Sequence, residues 1–547
     1  MRKRILHLFL LSAAASLLAA CHRSQGDDIG KRIDEIVRFR VDNKEFTGSV
    51  LVAKGDQILL NKGYGLANRE WNIPNTPTTK YRLGSVTKQF TAAAILLLEE
   101  QGKLKVEDLV KTHWPDAPAT WDQITIFHLL THTSGIPSVT SFPDFKTWKL
   151  SDTTAEKTTG YVRDKPLEFP PGSQFHYSNS GYILLGYLIE RISGQSYAEF
   201  LNQQIFTRLN MKDSGVDSDT AIIERRASGY SPGKDNPENA SYTNMTFPHG
   251  AGALYATTED LLRWNQGLFG GKLLSPESLK KMTTPFKDNY AFGLGVLKDK
   301  DRNMISHSGG IEGFNTNLTY YPDEKLTIIV LANLNGDAPD QLTHQLSAVL
   351  HGETIVLPSE RVEIKVSEDS LRKFTGLYEL SPDTNAIITV SNGKLFTQLG
   401  SEEPEELLAE SATRFFSRTT DGQIEFEQDA QGVVTGLILH LDGEKHSAKP
   451  LQERVEVKLS PEVLSRYAGI YRFESNLDVV MTVEDGRLRV KPGDQPEDTL
   501  YAEAEDHFFS KSFNAQVEFT KNKDGQTTGL IFHNGGEHTR AMRRANR

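Results

Sequence analysis

Residues 84–98 read Gly-Ser-Val-Thr-Lys-Gln-Phe-Thr-Ala-Ala-Ala-Ile-Leu-Leu-Leu, and this stretch decides the fold. From Phe90 to Leu98 the residues are apolar on every side, which predicts a helix buried at the centre of a domain. Ser85 then lies at the N-terminus of this helix, where backbone N–H groups are free. A spacing of three residues puts Ser85 and Lys88 on one helical face, within reach of each other.

A serine beside a lysine in this setting can form an activated nucleophile. A lysine in a closed site near the positive end of a helix is shifted toward its neutral form, in which it accepts the serine proton. The N–H groups at the helix start can face the oxyanion that develops when the serine attacks a carbonyl. The sequence therefore predicts Ser85 as a nucleophile and Lys88 as its base.

The Ser-x-x-Lys spacing alone is weak evidence, because it occurs three more times. The other pairs are Ser278 with Lys281, Ser370 with Lys373 and Ser391 with Lys394. None of them precedes a long apolar helix, and the last two lie in a repeated region near the end of the chain. The context therefore favours Ser85.

Two further motifs supply the remaining parts of an acyl-transfer site. Tyr177-Ser178-Asn179 follows a Pro-Pro-Gly turn, and His307-Ser308-Gly309-Gly310 precedes a predicted strand. Tyr177 can relay a proton to the leaving group, and Asn179 can position a substrate amide. The N–H group of Gly310, at a strand edge, can join that of Ser85 in an oxyanion hole. His307 would help to orient the substrate.

The segments around the buried helix predict a mixed α+β domain over residues 31–355. A tether at residues 22–30 leads into an amphipathic helix marked by apolar residues from Ile29 to Val37. Four β-rich runs then predict two antiparallel hairpins, 49–53 with 57–61 and 318–321 with 326–331. One sheet built from both ends of the domain is expected.

Beyond residue 356 the chain contains a repeat with a constant offset of 93 residues. The matching segments are 374–378 and 467–471, 392–395 and 485–488, 415–417 and 508–510, 424–426 and 517–519, and 435–438 and 528–531. Short β-rich runs between Gly and Asp turns predict strands that close into barrels. We expect two all-β barrel domains, at 356–455 and 456–547, with the paired phenylalanines in their cores.

The composition predicts a folded, water-soluble protein that does not bind nucleic acid. Of the 547 residues, 38% are hydrophobic and 24% are charged. The formal net charge is −11 and the Lys and Arg residues are scattered, whereas neutralising phosphates requires a basic surface. The sequence contains neither an H-E-x-x-H pattern nor a Walker-type glycine loop, so no metal, nucleotide or other cofactor is implied.

The first 21 residues predict an export signal. Three basic residues at 2–4 precede an apolar run, 5–17, that is shorter than the ~20 residues of a spanning helix. Leu18-Ala19-Ala20-Cys21 resembles a bacterial lipoprotein box, in which the cysteine becomes the lipid-modified N-terminus. We therefore expect a protein anchored by lipid at Cys21 to a bacterial membrane, facing the periplasm or the cell exterior. No other cysteine is present, which excludes disulfides within the chain.

In their order, the motifs at 85–88, 177–179 and 307–309 resemble those of the penicillin-recognising serine hydrolases. This group includes class C β-lactamases, D-alanyl-D-alanine carboxypeptidases, D-aminopeptidases and related esterases. Residues 129–135, Leu-Leu-Thr-His-Thr-Ser-Gly, are also similar to the family. The resemblance implies a β-lactamase/transpeptidase-like fold of helices on an antiparallel sheet beside a helical subdomain, a covalent acyl-enzyme and no metal. The repeated tail is similar to the two barrels of D-aminopeptidase-like members.

The third motif departs from that of class C β-lactamases, which have Lys-Thr-Gly where this chain has His307-Ser308-Gly309. Lysine holds a substrate carboxylate by a fixed charge, whereas histidine is largely neutral near pH 7. The resemblance therefore favours hydrolysis of small amides, peptides or esters, D-amino-acid peptides among them. A β-lactamase, a non-catalytic penicillin- or peptidoglycan-binding sensor, and a purely structural His307 stay open as alternatives.

Three rival segments are interpreted as structural. Gly229-Tyr230-Ser231-Pro232-Gly233 fits the G-x-S-x-G nucleophile elbow, but the residue after that nucleophile must donate an N–H group and Pro232 has none. This segment and Tyr242-Thr243-Asn244, which repeats the Tyr-x-Asn pattern, are predicted to be loops. His132 and Ser134 are predicted to lie in a turn packed under the active site.

Overall fold

The computed structural model describes residues 28–544, apart from residues 235, 382–383, 401, 442–443, 452–453, 474–476, 494, 513–514 and 535–536. The chain divides into two compact units, Met1–Ile355 and Val356–Arg547. The predicted export signal and Cys21 lie outside the described residues. Within the described part of the chain, no helix combines the length and the apolar character needed to span a bilayer.

The first unit contains one large antiparallel sheet. Its strands and the smaller ones around it are β1 (Gly48–Lys54), β2 (Gln57–Tyr64), β3 (Leu66–Asn68), β4 (Ile73–Pro74), β5 (Tyr81–Arg82), β6 (Gly215–Val216), β7 (Tyr230–Ser231), β8 (Glu238–Asn239), β9 (Leu254–Ala256), β10 (Gly295–Asp299), β11 (Arg302–Ile311), β12 (Phe314–Tyr321) and β13 (Leu326–Ala332). The sheet order is β10-β11-β12-β13-β1-β2. Because β1 pairs with β13 along its whole length, both ends of the unit meet in the sheet. The two predicted hairpins are confirmed.

Helices cover this sheet and form a second layer. They are α1 (28–42), α2 (Thr87–Glu100), α3 (Val110–His113), α4 (Ile126–Leu130), α5 (Phe145–Trp148), α6 (Ala155–Arg163), α7 (Asn179–Ser193), α8 (Tyr197–Leu201), α9 (His249–Gly252), α10 (Thr258–Phe269), α11 (Pro276–Met282) and α12 (Ala338–Leu350). The predicted tether ended at residue 30, but α1 already begins at residue 28. Asp28 suits the positive end of the helix and pairs with Lys31 across its first turn, at 3.9 Å.

Helix α2 lies in the core of the first unit. Every residue from Thr87 to Leu98 is buried, and Phe90 stacks on Trp264 of α10 with ring centroids 3.9 Å apart. A helix that is apolar all round requires such an enclosure, and the predicted buried helix is confirmed. Its N-terminus, which carries Ser85 and Lys88, is therefore held in a fixed position.

The motif at 307–310 precedes the strand β12, as predicted, and it also lies within a strand of its own. Its residues belong to β11, whose residues 305–311 pair with β12. Gly309 and Gly310 lie where β11 passes closest to the start of α2, as described below.

The second unit consists of two closed eight-stranded barrels. The first barrel comprises β14 (Gly376–Ser381), β15 (Thr384–Ser391), β16 (Lys394–Leu399), β17 (Glu405–Ala409), β18 (Arg414–Phe416), β19 (Gln423–Gln428), β20 (Val434–Leu441) and β21 (Glu444–Pro450), preceded by the short helix α13 (Glu368–Leu371). The second comprises β22 (Gly469–Phe473), β23 (Asp478–Glu484), β24 (Arg487–Pro492), β25 (Asp498–Ala502), β26 (His507–Ser510), β27 (Ala515–Lys521), β28 (Thr527–Asn534) and β29 (Glu537–Arg543), preceded by α14 (Pro461–Ser465).

The two barrels share their core contacts as well as their sequence repeat. Phe374 stacks on Phe426 with centroids 4.3 Å apart, and Tyr467 stacks on Phe519 at 4.4 Å, in the equivalent positions. Phe415 and Phe508 lie in the barrel cores, as predicted, whereas Phe416 and Phe509 are buried outside these core clusters. Successive residues of a strand point to opposite faces, so only one of each pair can face the interior of its barrel. The predicted fold class, an α+β unit followed by two all-β barrels, is confirmed.

The burial of α2 predicts a matched pair of isoleucine substitutions. Ile95 is fully buried on α2, whereas Ile222 is 97% exposed. Ile95→Ala should lower the free energy of unfolding by about 2–5 kcal/mol, because it removes packed methylenes and leaves a cavity. Ile222→Ala should change it by less than about 0.5 kcal/mol. Urea unfolding followed by tryptophan fluorescence measures this, since all five tryptophans lie in the first unit. Equal effects of the two substitutions would contradict the placement of α2.

Candidate active site

Ser85 lies in a 3₁₀ turn, Gly84–Val86, that leads directly into α2. Gly84 has a φ of +51°, a left-handed conformation that favours glycine. A Cβ atom at Gly84 would lie 2.8 Å from the backbone nitrogen of Gly310, and one at Gly309 would lie 3.0 Å from that of Ser85. Both glycines therefore allow β11 to pass directly against the turn that presents the nucleophile.

This close approach brings together the two backbone groups predicted for an oxyanion hole. The nitrogens of Ser85 and Gly310 belong to adjacent backbones, one at the start of α2 and one on β11. Strand β10 pairs with β11 only as far as Ser306. Beyond Ser306, the edge of β11 that faces β10 is therefore available to a substrate carbonyl, while its other edge is paired with β12.

Lys88 is fully buried, and its amine contacts three oxygens. Its Nζ atom lies 2.9 Å from Ser85 Oγ, 2.8 Å from Asn179 Oδ1 and 2.9 Å from the carbonyl oxygen of Ala251. Helices α2, α7 and α9 therefore meet at this one nitrogen atom. None of the three partners is a carboxylate, so no negative charge compensates a buried ammonium.

Burial lowers the pKa of Lys88 well below its usual value of 10.5. A neutral lysine amine has two hydrogens to donate and one lone pair, which accepts a hydrogen bond. The three contacts match this inventory, because Asn179 and Ala251 accept the two hydrogens and the Ser85 hydroxyl donates to the lone pair. The geometry therefore orients the Ser85 proton toward its base.

Tyr177 contacts the same nucleophile from a second direction. Its phenol is near enough to the Ser85 hydroxyl for that group to lower its pKa, and the Lys88 Nζ atom lies 4.8 Å from its ring centroid. Burial raises the pKa of Tyr177 above its usual value, and the nearby Ser85 hydroxyl offsets this only in part. Tyr177 is therefore protonated near neutral pH, which suits a proton donor.

Asn179 is the first residue of α7, and its amide is divided between two partners. The Oδ1 atom accepts from Lys88, and the Nδ2 atom donates to Thr140 Oγ1 at 3.2 Å. These bonds fix the amide in the site. Asn179 therefore contacts the base Lys88. Its contact with a substrate amide stays a prediction.

His307 faces Tyr177 and is held in one tautomer. Its Nδ1–H group donates to the carbonyl oxygen of Ser308 at 2.6 Å, so Nε2 accepts from the Tyr290 hydroxyl at 2.9 Å. Burial lowers the pKa of His307 to about 4. The position that carries a fixed positive charge in Lys-Thr-Gly motifs is therefore uncharged here at neutral pH.

His132 supports Tyr177 from below. It is buried, its ring centroid lies 4.2 Å from that of Tyr177, and its Nδ1 atom accepts from the backbone N–H group of Ser178 at 3.1 Å. Its φ of +55° is rare for histidine. Burial lowers the pKa of His132 well below 6.5, so the ring is neutral. The predicted turn therefore lies directly under the predicted proton donor.

A cleft of about 410 Å³ opens beside Ser85. We call it the Ser85 cleft, and its lining includes Ser85, Asn179, Phe145, Phe247, Gly310 and Glu312. Sequence reasoning did not single out Glu312, Tyr290, Thr140 or the Ala251 carbonyl. No motif marks them, because a backbone carbonyl has no side-chain signal and the others lie outside the motifs that were recognised.

The competing Ser-x-x-Lys pairs do not form similar sites. Lys281 pairs with Glu99 at 3.0 Å, which raises the pKa of Lys281 and keeps it charged, so it is no base for Ser278. Lys394 likewise pairs with Glu406 at 2.8 Å in the first barrel. Among the described residues, no three His, Cys, Asp or Glu side chains are grouped as ligands of a metal ion.

The G-x-S-x-G segment is not a nucleophile elbow. Ser231 ends the two-residue strand β7, which pairs with β8, and no helix occurs among the described residues between these strands. Residues 242–244 form a loop, as predicted. Thr243 of that loop nevertheless lines the Ser85 cleft.

Comparison with family models assigns both units. A model described as beta-lactamase matches residues 33–352. A model described as a domain of unknown function, DUF3471, matches residues 360–450 and again residues 453–543. The two later matches correspond to the two barrels.

Three similar proteins carry related names. Penicillin-binding protein 4* of Bacillus subtilis (strain 168) is 30% identical over 450 residues, which cover 76% of this chain and 98% of that protein. The crystal structure of a penicillin binding protein from Bacillus halodurans has a TM-score of 0.52 and 30% identity, covering 57% of this chain and 98% of the other. An octameric penicillin-binding protein homologue from Pyrococcus abyssi has a TM-score of 0.54 and 27% identity, covering 77% and 100%.

The contacts of His132 predict that it positions Tyr177. In His132→Asn the amide oxygen can replace Nδ1 as the acceptor for Ser178, and asparagine tolerates the left-handed φ. In His132→Gln the acceptor moves one bond away. We expect phosphonylation of Ser85 by a fluorophosphonate to slow by up to about 100-fold in His132→Gln and clearly less in His132→Asn. Rates are compared at equal melting temperature, and a larger loss in His132→Asn would contradict this role.

Proposed function

Because this chain belongs to the beta-lactamase family, we propose that it is a serine hydrolase that cleaves ester or amide bonds through an acyl-enzyme on Ser85. One observation carries the proposal. The Ser85 hydroxyl lies between a buried Lys88 amine, whose pKa is lowered, and the Tyr177 phenol, whose pKa is raised, beside the backbone nitrogens of Ser85 and Gly310. This arrangement supplies a nucleophile, a base, an acid and an oxyanion site in one place.

The proposed acylation begins with proton transfer from Ser85 to Lys88. The Ser85 oxygen attacks the substrate carbonyl, and the N–H groups of Ser85 and Gly310 stabilise the oxyanion. Tyr177 then donates its proton to the leaving alcohol or amine and recovers a proton from the Lys88 ammonium. In deacylation a water molecule loses a proton along the same route in reverse and attacks the ester carbonyl.

The neutral His307 bears on the substrate class. A β-lactam or a peptide with a free C-terminus carries a carboxylate on the leaving-group side, which a fixed cation would hold. His307, with a pKa of about 4, offers no such charge. We therefore favour esters, amides and peptides with an uncharged leaving group, including those of D-amino acids, over dedicated β-lactam hydrolysis.

The proposal includes export and a lipid anchor at Cys21. It is supported by the basic start, the short apolar run and the Leu-Ala-Ala-Cys box of the first 21 residues. The site would then act on small substrates outside the cytoplasm.

The proposal predicts a selective loss of reactivity in Ser85→Ala. The unmodified chain should gain one fluorophosphonate label and hydrolyse p-nitrophenyl acetate, and Ser85→Ala should lose the label and at least about 10³-fold of the rate. Ser278→Ala, which removes another Ser-x-x-Lys serine, is the matched control and should keep both. Mass spectrometry and initial rates measure the two effects.

Labelling of Ser85→Ala, or loss of activity in Ser278→Ala alone, would contradict the assignment. Labelling of Ser85 without turnover of any ester, amide or cephalosporin would instead favour the non-catalytic binding module.

A further inference from the structure

The Ser85 cleft lies on one side of the nucleophile. Tyr177 and His307 do not belong to its lining, whereas Ile311 and Glu312 do. Strand β11 rises about 3.3 Å per residue, so the backbone positions of His307 and Ile311 are about 13 Å apart. The active site therefore has two ends, one beside His307 and one beside Glu312.

The position of the proton donor tells the two ends apart. A general acid must lie beside the atom that leaves. Tyr177 is that acid in the proposed mechanism, and its ring lies 6.3 Å from that of His307. The leaving group is therefore placed at the His307 end, and the Ser85 cleft receives the acyl group.

The charged group that lines the acyl end of the cleft is a carboxylate. Glu312 is the one charged residue in the lining among the described residues. Its partner Lys149, which binds Oε1, does not line the cleft, and its Nζ atom lies 5.8 Å from the ring centroid of Phe145. A carboxylate offers about four acceptor positions, so one lysine leaves others for a ligand.

Glu312 is an anion under ordinary conditions. Burial alone would raise the pKa of this carboxyl group, but the hydrogen bond from Lys149 and the nearby Thr243 hydroxyl lower it below its usual value. An acyl group that enters the cleft therefore meets apolar walls, among them Phe145 and Phe247, and then a negative charge.

A second polar group at the same end lacks a partner. Thr243 is 3% exposed and lines the cleft. Its hydroxyl is near enough to the Glu312 carboxylate to help lower that pKa, yet its Oγ1 atom has no partner in full hydrogen-bonding geometry among the described residues. A buried hydroxyl left in this state is stabilised when a ligand supplies the missing bond.

We propose that the acyl end of the Ser85 cleft binds an ammonium group, held by the Glu312 carboxylate and the Thr243 hydroxyl. The substrates would then be esters or amides of amino acids whose amino group is free. This inference rests on the proposed function, because it concerns the acyl group that Ser85 receives. Specificity is thereby set at the acyl end, while the leaving-group end stays uncharged.

Matched substrates test the inference directly. The p-nitrophenyl esters of D- and L-alanine differ from p-nitrophenyl isobutyrate by an ammonium in place of a methyl group. The 6-aminohexanoate and heptanoate esters form the same kind of pair with a longer chain. We expect kcat/KM, divided by the rate constant for hydroxide hydrolysis of the same ester, to be at least about tenfold higher for the ammonium member of one pair, the effect of one charge-assisted hydrogen bond. The pair that shows it gives the distance of the ammonium from the carbonyl.

Two variants separate a binding role from a structural one. Glu312→Gln should reduce the ammonium-to-alkyl ratio of kcat/KM by about tenfold. Lys149→Met removes the competing cation and should raise that ratio. If the ion pair served only to stabilise the fold, both variants would lower all rates and leave the ratio unchanged. Asp122→Asn, which breaks the exposed pair of Lys111 and Asp122, is the control that should not change the ratio.

An unmodified chain that cleaves both members of each pair equally would overturn the inference, and so would an unchanged ratio in Glu312→Gln. Hydrolysis of p-nitrophenyl acetate shows separately whether Ser85 is active. If acetate is not cleaved and Ser85 is not labelled, the proposed function itself fails, and the inference fails with it.

Discussion

The site depends on a lysine amine that is buried without a counterion. Lys88 lies where α2, α7 and α9 meet, and its three partners are a hydroxyl, an amide oxygen and a backbone carbonyl. A carboxylate in any of these places would stabilise the ammonium and remove the base. Like the absence of a carboxylate, the surrounding apolar helix α2 lowers the pKa of Lys88, because it excludes the water that would solvate a charge.

Close backbone packing makes this chemistry possible. Gly84 and Gly309 let β11 lie against the turn that carries Ser85, which brings the Gly310 nitrogen beside that of the nucleophile. His132 then fixes Tyr177 by stacking and by its bond to Ser178. Rigid supports of this kind hold reacting groups in place without reorganisation during the reaction.

Much of the fold and of the candidate site could be predicted from the sequence, because the signals that reveal them lie in short stretches of the chain. The apolar run 90–98 and each of the three motifs are short continuous stretches of the chain, and the repeat is found by comparing the sequence with itself. The full extent of the strand at 302–311 was not predicted, because glycine usually weakens a strand, and the packing of Gly309 and Gly310 against the turn at Gly84 is a tertiary contact. Glu312, Tyr290 and Ala251 could not be found, because their roles come from tertiary contacts between distant segments.

The most direct test of the account is the pH dependence of the phosphonylation of Ser85 by a fluorophosphonate. Lys88 must be neutral to accept the serine proton, and its folded-state pKa is depressed by burial. The rate should therefore be high at neutral pH and fall only as the pH drops through that depressed pKa. A rate that stays low at neutral pH and rises only toward 10.5, the ordinary lysine value, would show that Lys88 is charged and would contradict the account.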